Sequence, residues 1–467
     1  MLKTFKKKFF NRWNGEVGYR QILILSFPLI LSTSSWSIQH FVDRVFLSRY
    51  STDAIAASMP AGLLNHSLLS IFIGIGAFIN TFVAQYYGAK QFKNIGAIVW
   101  QGIYISILGG IFNLLLIPLA PSLFRFIGHE HSVLINEISY FQILCIGAFP
   151  AIASSSFSSF FSGRKHLFPV MWINLIQTII NILLDYCMIF GKLGFPELGI
   201  KGAALATVIS GYIAFFLYFL LFSAPKYRDI FSTLKNWKFN PCLFNRLVYY
   251  GLPSSLQFFI DSLALTIFIM FVGRLGKIAL AATNIAFNIS SLAFMPMIGI
   301  GITISILVGQ NLGKNDPNTA EKSVYSGFHL TILYMATMSF LYIFKPHIFI
   351  NPFIPYTTAG NYKEIYTMSV ILLKFIAFFS IFDTMNIVFL SALRGAGDTH
   401  YIMKIMLISS ILLLIIPSFI VINILNLGIF SAWIIITFFV TMLGLMFFIR
   451  FKKGYWKNIR VIETTLS

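Results

Sequence analysis

The chain has 467 residues, of which 57% are hydrophobic and only 10% are charged. Soluble domains carry about 25% charged residues, so the composition argues against a soluble globular protein and indicates a membrane protein. The formal net charge is +19, from 34 Lys and Arg against 15 Asp and Glu. A large basic charge is also typical of nucleic-acid-binding proteins, and its distribution along the chain decides between these two uses.

Twelve apolar segments are each long enough to cross a bilayer as a helix, which takes about 20 residues. They are too long and too uniformly apolar for the strands of a membrane β-barrel. The predicted fold is therefore an all-α integral membrane protein with twelve transmembrane helices. The predicted spans are 21–47, 54–82, 95–119, 133–157, 167–190, 200–223, 247–272, 279–308, 323–345, 364–393, 402–422 and 429–450.

The basic residues are divided unequally between the two sides of the predicted membrane. With twelve spans both termini share one side, which holds 24 of the 34 Lys and Arg, whereas the other side holds nine and Lys374 lies within a span. The N-terminal tail contributes Lys3, Lys6, Lys7 and Lys8. Because basic loops stay in the cytoplasm, both termini are expected there. The basic residues then contact membrane lipids, and nucleic acid is not an expected partner.

The sequence contains an internal repeat of six spans. A shift of 225 positions places Pro28 on Pro253, and places GIGAFINTFVAQYYG (74–88) on GIGITISILVGQNLG (299–313). Late in each half the shift is 229, where LGIKGAA, starting at residue 198, faces LGIFSAW. Several features at a nearly constant shift predict two pseudo-symmetric six-helix bundles, related by an axis along the membrane normal.

The predicted domains follow this repeat. They are an N-terminal lobe (1–223) with a cytoplasmic tail, a cytoplasmic linker (224–246) and a C-terminal lobe (247–467) with a basic cytoplasmic tail. Pro28 and Pro253 occupy matched positions in spans one and seven, and each removes a helix hydrogen bond. We therefore expect helix bends at both prolines that help the lobes rock. The alternative is a static kink with no role in movement.

Four of the fifteen acidic residues lie well inside predicted spans, at Asp43, Asp185, Asp261 and Asp383. Insertion scales assign about 2.5–3.5 kcal/mol to a central Asp, so these residues are costly if they are unpaired. One interpretation is that each Asp only ties helices together by hydrogen bonds. Their grouping at common depths favours a functional interpretation instead.

The first group lies in the outer half of the N-terminal lobe. Asp43 lies near the outer end of span one, and Asp185 lies about 18 residues into span five. Asn181 precedes Asp185 by one turn and shares its face, and Thr207 lies about seven residues into span six. Two carboxylates, an amide and a hydroxyl suit a small hard cation, so Na⁺ is the possible metal here. A proton and Na⁺ can compete for such carboxylates, and no organic cofactor is expected.

The second group lies near the midplane of the C-terminal lobe. Asp261 and Asp383 agree in depth, on spans seven and ten. Asn284 and Asn288, four residues apart on span eight, can supply amide oxygens nearby. We interpret this group as a site that couples cation and substrate, with Asp383 titrating or holding a cation.

Both halves contain an ordered set of motifs: FVD (41–43), VAQYYGAK (83–90), NILLDY (181–186), GIKGAALAT (199–207), GLPSSLQFFID (251–261), VGQNLGKNDP (308–317) and LRGAGDT (393–399). This set resembles the multidrug and toxic compound extrusion (MATE) transporters of the NorM-like branch. The resemblance implies a monomer in the bacterial inner membrane, with two lobes of six helices, that exports drugs and other organic cations by antiport with Na⁺ or H⁺. The 51 Phe residues offer aromatic faces to such drugs and dyes.

The resemblance also implies roles for individual residues. The implied cation ligands of the N-terminal lobe are Asp43, Asn181, Asp185, Thr207 and a main-chain oxygen near Ala203. The implied acids of the C-terminal lobe are Asp261 and Asp383. One departure from the family pattern concerns a tyrosine found in some members four residues before the second of these acids. Phe379 stands there in this chain, which weakens the case for a cation site in that lobe.

Three other functions are compatible with parts of the sequence. A flippase for lipid-linked oligosaccharides or lipids, from the same superfamily, would need basic residues in its cleft, whereas the intramembrane charges here are acidic. GAGD (395–398) fits the GxGD motif of intramembrane aspartyl proteases, but Asp398 lies in a cytoplasmic loop and Asp185 lies in the outer half of its span. A channel would be expected to repeat a pore-loop sequence. We therefore expect a transporter and not an enzyme.

Overall fold

The computed structural model describes residues 12–127, 130–353 and 362–463. Within these ranges the chain forms helices joined by short connections, and no β-strand occurs in them. In lipid every backbone N–H and C=O group needs a partner within its own segment, which a helix provides. The predicted all-α fold is confirmed. Four basic residues used for the predicted orientation, Lys3, Lys6, Lys7 and Lys8, lie outside the described residues.

Eleven helical segments of the described chain are long and apolar enough to cross a membrane. A twelfth span consists of two helices that meet at an angle of 44° on either side of Gly147, where the sequence predicts a single span. The helices of the first half are α1 (Tyr19–Tyr50), α2 (Thr52–Gly88), α3 (Phe92–Leu116), α4 (Ala120–Ile127), α5 (His131–Ile146), α6 (Ala148–Ser162), α7 (Leu167–Phe190), α8 (Ile200–Phe222) and α9 (Pro225–Phe231).

The second half repeats this order with one irregular span. This span is the eleventh crossing of the chain, Thr399–Ile424. It contains two π-helical stretches, Ser410–Ile415 and Ile420–Ile424. Between them lies a short α-helix with Pro417 in its first turn. The helices are α10 (Pro241–Gly273), α11 (Lys277–Gly313), α12 (Pro317–Phe344), α13 (Pro346–Ile350), α14 (Tyr362–Ala396), α15 (Thr399–Ser409), α16 (Ile416–Phe419) and α17 (Ile429–Lys452).

Polar side chains start new helices after very short connections. Ser51 is the only residue between α1 and α2, and its hydroxyl accepts a hydrogen bond from the Asp53 N–H at 3.2 Å. The Asp316 carboxylate accepts a hydrogen bond from the Thr319 N–H at 3.0 Å, with Pro317 at the first position of α12. Such caps satisfy N–H groups that have no partner inside the helix.

The described residues pack as two units, and the exchange points lie inside helices. The N bundle comprises Leu31–Ser255 and the described residues from Val461 onward. The C bundle comprises the described residues up to Ile30 and Leu256–Arg460. Helices α1 and α10 therefore each begin in one unit and end in the other. The division into lobes at residues 223 and 247 stays a prediction about function, since packing divides the chain elsewhere.

The positions of the exchange points match the repeat in the sequence. Each follows a repeated proline by two residues, at Ile30 after Pro28 and at Ser255 after Pro253. The two points are therefore 225 positions apart, as the two prolines are.

The same close helix contact is built once in each unit. In the N bundle, a Cβ atom on Gly74 would lie 2.9 Å from the Ser255 Cα, and in the C bundle one on Gly299 would lie 3.0 Å from the Ile30 nitrogen. Both members of these pairs are related by the shift of 225. Only glycine permits backbones to approach so closely, so the repeat seen in the sequence is also present in the packing.

The segment after α17 is buried at two points, first in the C bundle and then in the N bundle. Trp456 is fully buried and stacks on Phe451 in the C bundle, with ring centroids 4.9 Å apart. Five residues later, Val461 and Ile462 are buried in the core of the N bundle. We call residues 455–463 the C-terminal clasp.

Two hydrogen bonds fix the far end of the clasp within the N bundle. The Val461 N–H donates to the Gln85 side-chain oxygen at 2.9 Å, and Arg246 Nη2 donates to the Ile462 carbonyl at 2.8 Å. The Arg246 guanidinium also lies 3.6 Å from the Glu463 carboxylate.

Candidate cation site

Two buried acidic side chains meet in the N bundle. Asp43, on α1, is 7% exposed, and Asp185, on α7, is fully buried. Their carboxyl groups lie close enough to interact directly with each other. Two unprotonated carboxylates in such close contact repel each other strongly in a medium of low dielectric. The pair therefore requires a proton or a cation between its oxygens.

Asn181 joins these two groups from one turn earlier on α7. One terminal atom of its side-chain amide lies 3.1 Å from Asp43 Oδ1 and 3.2 Å from Asp185 Oδ2. With nitrogen at this position, the amide donates to both carboxyl groups. With oxygen there, the amide adds a third oxygen to a centre that suits a cation, and Gln39 Nε2, at 3.2 Å, can donate to it. Such amide orientations follow from the surrounding hydrogen bonds.

Thr207 and Ala203 lie on the other side of Asn181. The other terminal atom of the amide is 3.4 Å from the Thr207 hydroxyl, which donates to the Ala203 carbonyl at 3.1 Å. Both residues lie on one face of α8, four positions apart. The structure thus places the other four residues named from the sequence around Asn181, with the two acids on one side of the amide and α8 on the other.

One carboxylate oxygen of the pair, Asp185 Oδ1, is buried and has no hydrogen-bond partner among the described residues. A buried acceptor without a partner is costly, and a bound cation would remove that cost. The available donor atoms are carboxylate, amide and hydroxyl oxygens, which suit small hard cations. The residues present therefore fit a site for Na⁺ or for a proton.

Three further side chains that are absent from the predicted site lie beside the pair. Gln39 is 4% exposed, Tyr140 on α5 is buried within the electrostatic range of both acids, and His40 Nδ1 lies 3.9 Å from Asp43 Oδ2. Gln39 could have been identified, because it precedes Asp43 by four residues and so shares its helix face. Tyr140 gives no such signal in the sequence, because only the structure shows that its helix lies near the two acids.

The C bundle holds the second pair of acids. Asp261 on α10 and Asp383 on α14 are close enough for their charges to interact. The partner of Asp383 is Asn386, whose Nδ2 donates to Oδ1 at 3.2 Å. Asn288 Nδ2 instead donates to the Asn284 carbonyl at 2.8 Å, and both of these asparagines are exposed. Among the described residues, neither forms a hydrogen bond with the two acids, and their role stays a prediction.

Two arginines near the C-terminal end of α14 and α17 are also held by specific partners. Arg394 Nη2 donates to Gln257 Oε1 at 2.7 Å. Arg450 forms a two-point ion pair with Asp398, at 2.7 and 3.2 Å. Asp398 is therefore engaged by a cation, which does not fit the pairing of two aspartates that an aspartyl protease requires.

Phe379 packs in the core of the C bundle, 6% exposed and one turn before Asp383. It offers no hydroxyl to a cation. The oxygen ligands within hydrogen-bond distance of one another are thus more numerous around Asp185 than around Asp383.

The comparison with protein families gives a match in each half. The family model described as MatE matches residues 28–187 and 253–420. The two matches begin at the repeated prolines, 225 positions apart.

Two related proteins cover most of the chain. A protein of Thermotoga maritima named "Probable multidrug resistance protein NorM" is 27% identical over 459 residues, which are 95% of this chain and 94% of that protein. "Multidrug resistance protein NorM" of Aliivibrio fischeri is 28% identical over 405 residues, which are 85% of each chain.

A solved structure shares the fold. It is titled "Outward-facing conformation of a multidrug resistance MATE family transporter of the MOP superfamily" and superposes with a TM-score of 0.84. The superposition covers 96% of this chain and 98% of that chain, at 19% sequence identity. At this identity the likeness concerns the fold.

Proposed function

This chain belongs to the MatE family, and from that membership we propose that it is a secondary active multidrug efflux transporter. It exports amphipathic organic cations, drugs and dyes among them, in exchange for Na⁺ or H⁺ by alternating access. The observation that carries the proposal is the buried Asp43–Asp185 pair, bridged by Asn181 at 3.1 and 3.2 Å.

The pair can exchange one kind of cation for another. When a proton lies between the two carboxyl groups, the Asn181 amide can donate to both with its nitrogen. When Na⁺ enters, the proton leaves and the amide can turn its oxygen toward the ion. Because burial makes an unpaired charge costly, the site favours being occupied over being empty. A site with this preference can drive a change of conformation when its occupant changes sides.

The second pair, Asp261 and Asp383, supports a cationic cargo. It lies in the other unit from the first pair, so cation binding and cargo binding can use separate acids. Within the described part of the chain, Asp383 accepts one hydrogen bond, from Asn386 at 3.2 Å. Its carboxylate oxygens can therefore accept further contacts from a positively charged drug. Phe side chains supply faces for its aromatic rings.

The proposed location is the bacterial inner membrane, with the protein acting as a monomer surrounded by lipid. The curated relatives are bacterial, and twelve apolar crossings explain the mean hydropathy of +0.81. The excess of Lys and Arg on the side of the termini supports a cytoplasmic position for both ends. A flippase of lipid-linked oligosaccharides is disfavoured by the acidic character of the two buried pairs.

Purified protein in proteoliposomes tests the proposal. Ethidium should move against its gradient when an opposing Na⁺ or pH gradient is applied, and should stop when the gradient is dissipated. The matched control is the variant with Asp43→Asn and Asp185→Asn, which keeps the shape of both side chains. Dye movement that ignores both gradients would show that the protein is not an antiporter.

A further inference from the structure

The N bundle contains a pocket at the ends of α1 and α7 that lie away from the chain termini. Its volume is about 370 Å³. The walls come from the last turn of α1, the last turn of α7 and the loop between α7 and α8. The lining residues are Phe46, Arg49, Tyr186, Phe190, Lys192 and Glu197.

Three aromatic rings form the apolar wall of this pocket. The ring centroid of Phe46 lies 6.2 Å from that of Tyr186 and 5.8 Å from that of Phe190, and the last two are 5.9 Å apart. Each ring thus touches the other two, across the seam between α1 and α7. This wall offers a hydrocarbon surface to a ligand.

The rim of the pocket is positively charged. Arg49 and Lys192 are exposed, and neither forms an ion pair with an acid in the described part of the chain. Glu197, the acid at the rim, lies close enough to the Tyr50 hydroxyl for the two groups to interact. Two cations without a carboxylate partner leave the rim ready for an anion.

The loop beside the pocket presents apolar side chains to its surroundings. Leu193 is 85% exposed, and its φ of +55° is a conformation that bulky residues rarely adopt. Phe195, in the same loop, is 42% exposed. An exposed leucine held in an unfavoured backbone conformation at the end of two membrane spans fits contact with the lipid interface better than contact with water.

We propose that this pocket binds the headgroup of an anionic phospholipid from the leaflet away from the termini. The phosphate lies between the Arg49 guanidinium and the Lys192 ammonium, and the first acyl carbons lie on the rings of Phe46, Tyr186 and Phe190. A soluble organic anion could satisfy the two cations, but it would make no use of the exposed Leu193.

The site joins the two helices that carry the buried acids. Arg49 follows Asp43 by six residues on α1, and Tyr186 directly follows Asp185 on α7. A lipid that contacts both helix ends therefore holds the seam between them, and bound lipid should raise the thermal stability of the protein.

Native mass spectrometry of the purified protein tests the proposal, with phosphatidylglycerol and phosphatidylcholine as probes. Wild type should retain phosphatidylglycerol in preference to phosphatidylcholine. The double variant R49Q/K192Q should bind phosphatidylglycerol about tenfold more weakly, since each cation near a membrane surface contributes to such binding. The matched control is R125Q/K345Q, which removes two exposed basic residues from the same side, outside the pocket.

Equal losses in the two double variants, or no loss in R49Q/K192Q, would overturn the proposal. Glycerol 3-phosphate separates the two sources of the anion: if it displaces phosphatidylglycerol from wild type at similar concentration, the site takes a soluble anion. The single variant K192Q lies in a loop and serves if the double variant fails to fold. It should show a weaker form of the same loss.

Discussion

At the scale of single residues, the side-chain amide of Asn181 connects two carboxyl groups that belong to different helices. Its distances of 3.1 and 3.2 Å to Asp43 and Asp185 leave room for either end of the amide. A leucine of similar size could fill this space, but it would leave both carboxyl groups without their shared neighbour. In the mechanism that we propose, this amide lets one site accommodate a proton or a metal cation.

The first prediction compares the two pairs of acids. Asp185→Asn should weaken Na⁺ binding or proton uptake by about tenfold or more, because it removes a charge and the unsatisfied Oδ1 acceptor. Asp383→Asn should reduce drug transport but leave most cation binding intact, since the site around Asn181 remains complete. Calorimetry or ²³Na exchange on the two purified variants measures the difference.

Thermal unfolding of both variants provides the control that the proteins are folded. If Asp185→Asn binds Na⁺ or titrates like wild type and Asp383→Asn does not, the roles of the two pairs are reversed.

The candidate site could be predicted from the sequence only where a helix face carries several polar residues. Asn181 and Asp185, one turn apart, gave such a pattern, and the structure places them together. Asn386 lies three residues after Asp383 and could have been found by the same rule, whereas Asn284 and Asn288 share a face that carries no hydrogen bond to the acids. Packing decides which faces of different helices meet. The spacing of polar residues along a single helix does not reveal that packing.

At the scale of elements, α1 and α10 change packing partners two residues after a proline. A proline leaves the carbonyl four residues earlier without its N–H partner, so this is where a helix bends most easily. The close contacts at Gly74 and Gly299 lie beside the same points.

The second prediction concerns these bends. Pro28→Ala should slow transport without loss of folded protein, because alanine restores the helix hydrogen bond and stiffens α1. Dye efflux from proteoliposomes gives the rate, and size-exclusion chromatography gives the folded fraction. Pro60→Ala is the control, since Pro60 lies inside α2, where the chain does not change units. Unchanged turnover in Pro28→Ala would support a static kink.

The third prediction concerns the start of α12. The Thr319 N–H and hydroxyl hold the pKa of Asp316 below its ordinary value of 3.8. A carboxylate with a lowered pKa stabilises the folded protein above that pH, and the contribution is lost as the pH falls below about 4. Asp316→Ala should lower the free energy of unfolding by about 1 kcal/mol at pH 7.

Asp316→Asn is the matched variant, because it keeps an acceptor for the Thr319 N–H but does not titrate. Its stability should lose the part of the acid dependence that Asp316 contributes. Thermal unfolding at pH 7 and pH 3 measures both effects, and an Asp316→Ala variant as stable as wild type at pH 7 would contradict the cap.

Helix existence was predictable because twelve crossings each need a long apolar run. Helix length was not, because several helices continue past the apolar region: α2 extends to Gly88 where the apolar run ends at residue 82, and α11 extends to Gly313. The bend at Gly147 and the π-helical turns around α16 also left no hydropathy signal. These features depend on which neighbour a helix packs against, and apolar content does not report that.

At the scale of the whole molecule, chain order and packing order differ. The repeat predicted two lobes that follow the sequence, and the structure shows two units that exchange the first part of α1 and the first part of α10. Sequence similarity between halves reveals the repeat, but it cannot show with which half a helix end packs.

The fourth prediction tests the C-terminal clasp. Ending the chain after Arg460 removes the buried Val461 and Ile462, and should lower stability by roughly 3 kcal/mol from lost apolar burial. It also removes two partners of Arg246, the Ile462 carbonyl and the Glu463 carboxylate. Ending the chain after Glu463 keeps every one of these contacts and is the control. Thermal unfolding in detergent measures the difference, and equal stability of the two shortened chains would show that the clasp is dispensable.

The exchange of segments has a consequence for biosynthesis. The N bundle takes its last pieces from residues 241–255 and from Val461 and Ile462, and the C bundle takes its first piece from the start of α1. Domains usually fold in order as they leave the ribosome. Here the N bundle cannot be completed until Val461 and Ile462 have been translated, so its last packing contacts form after the membrane helices of both units have been synthesised.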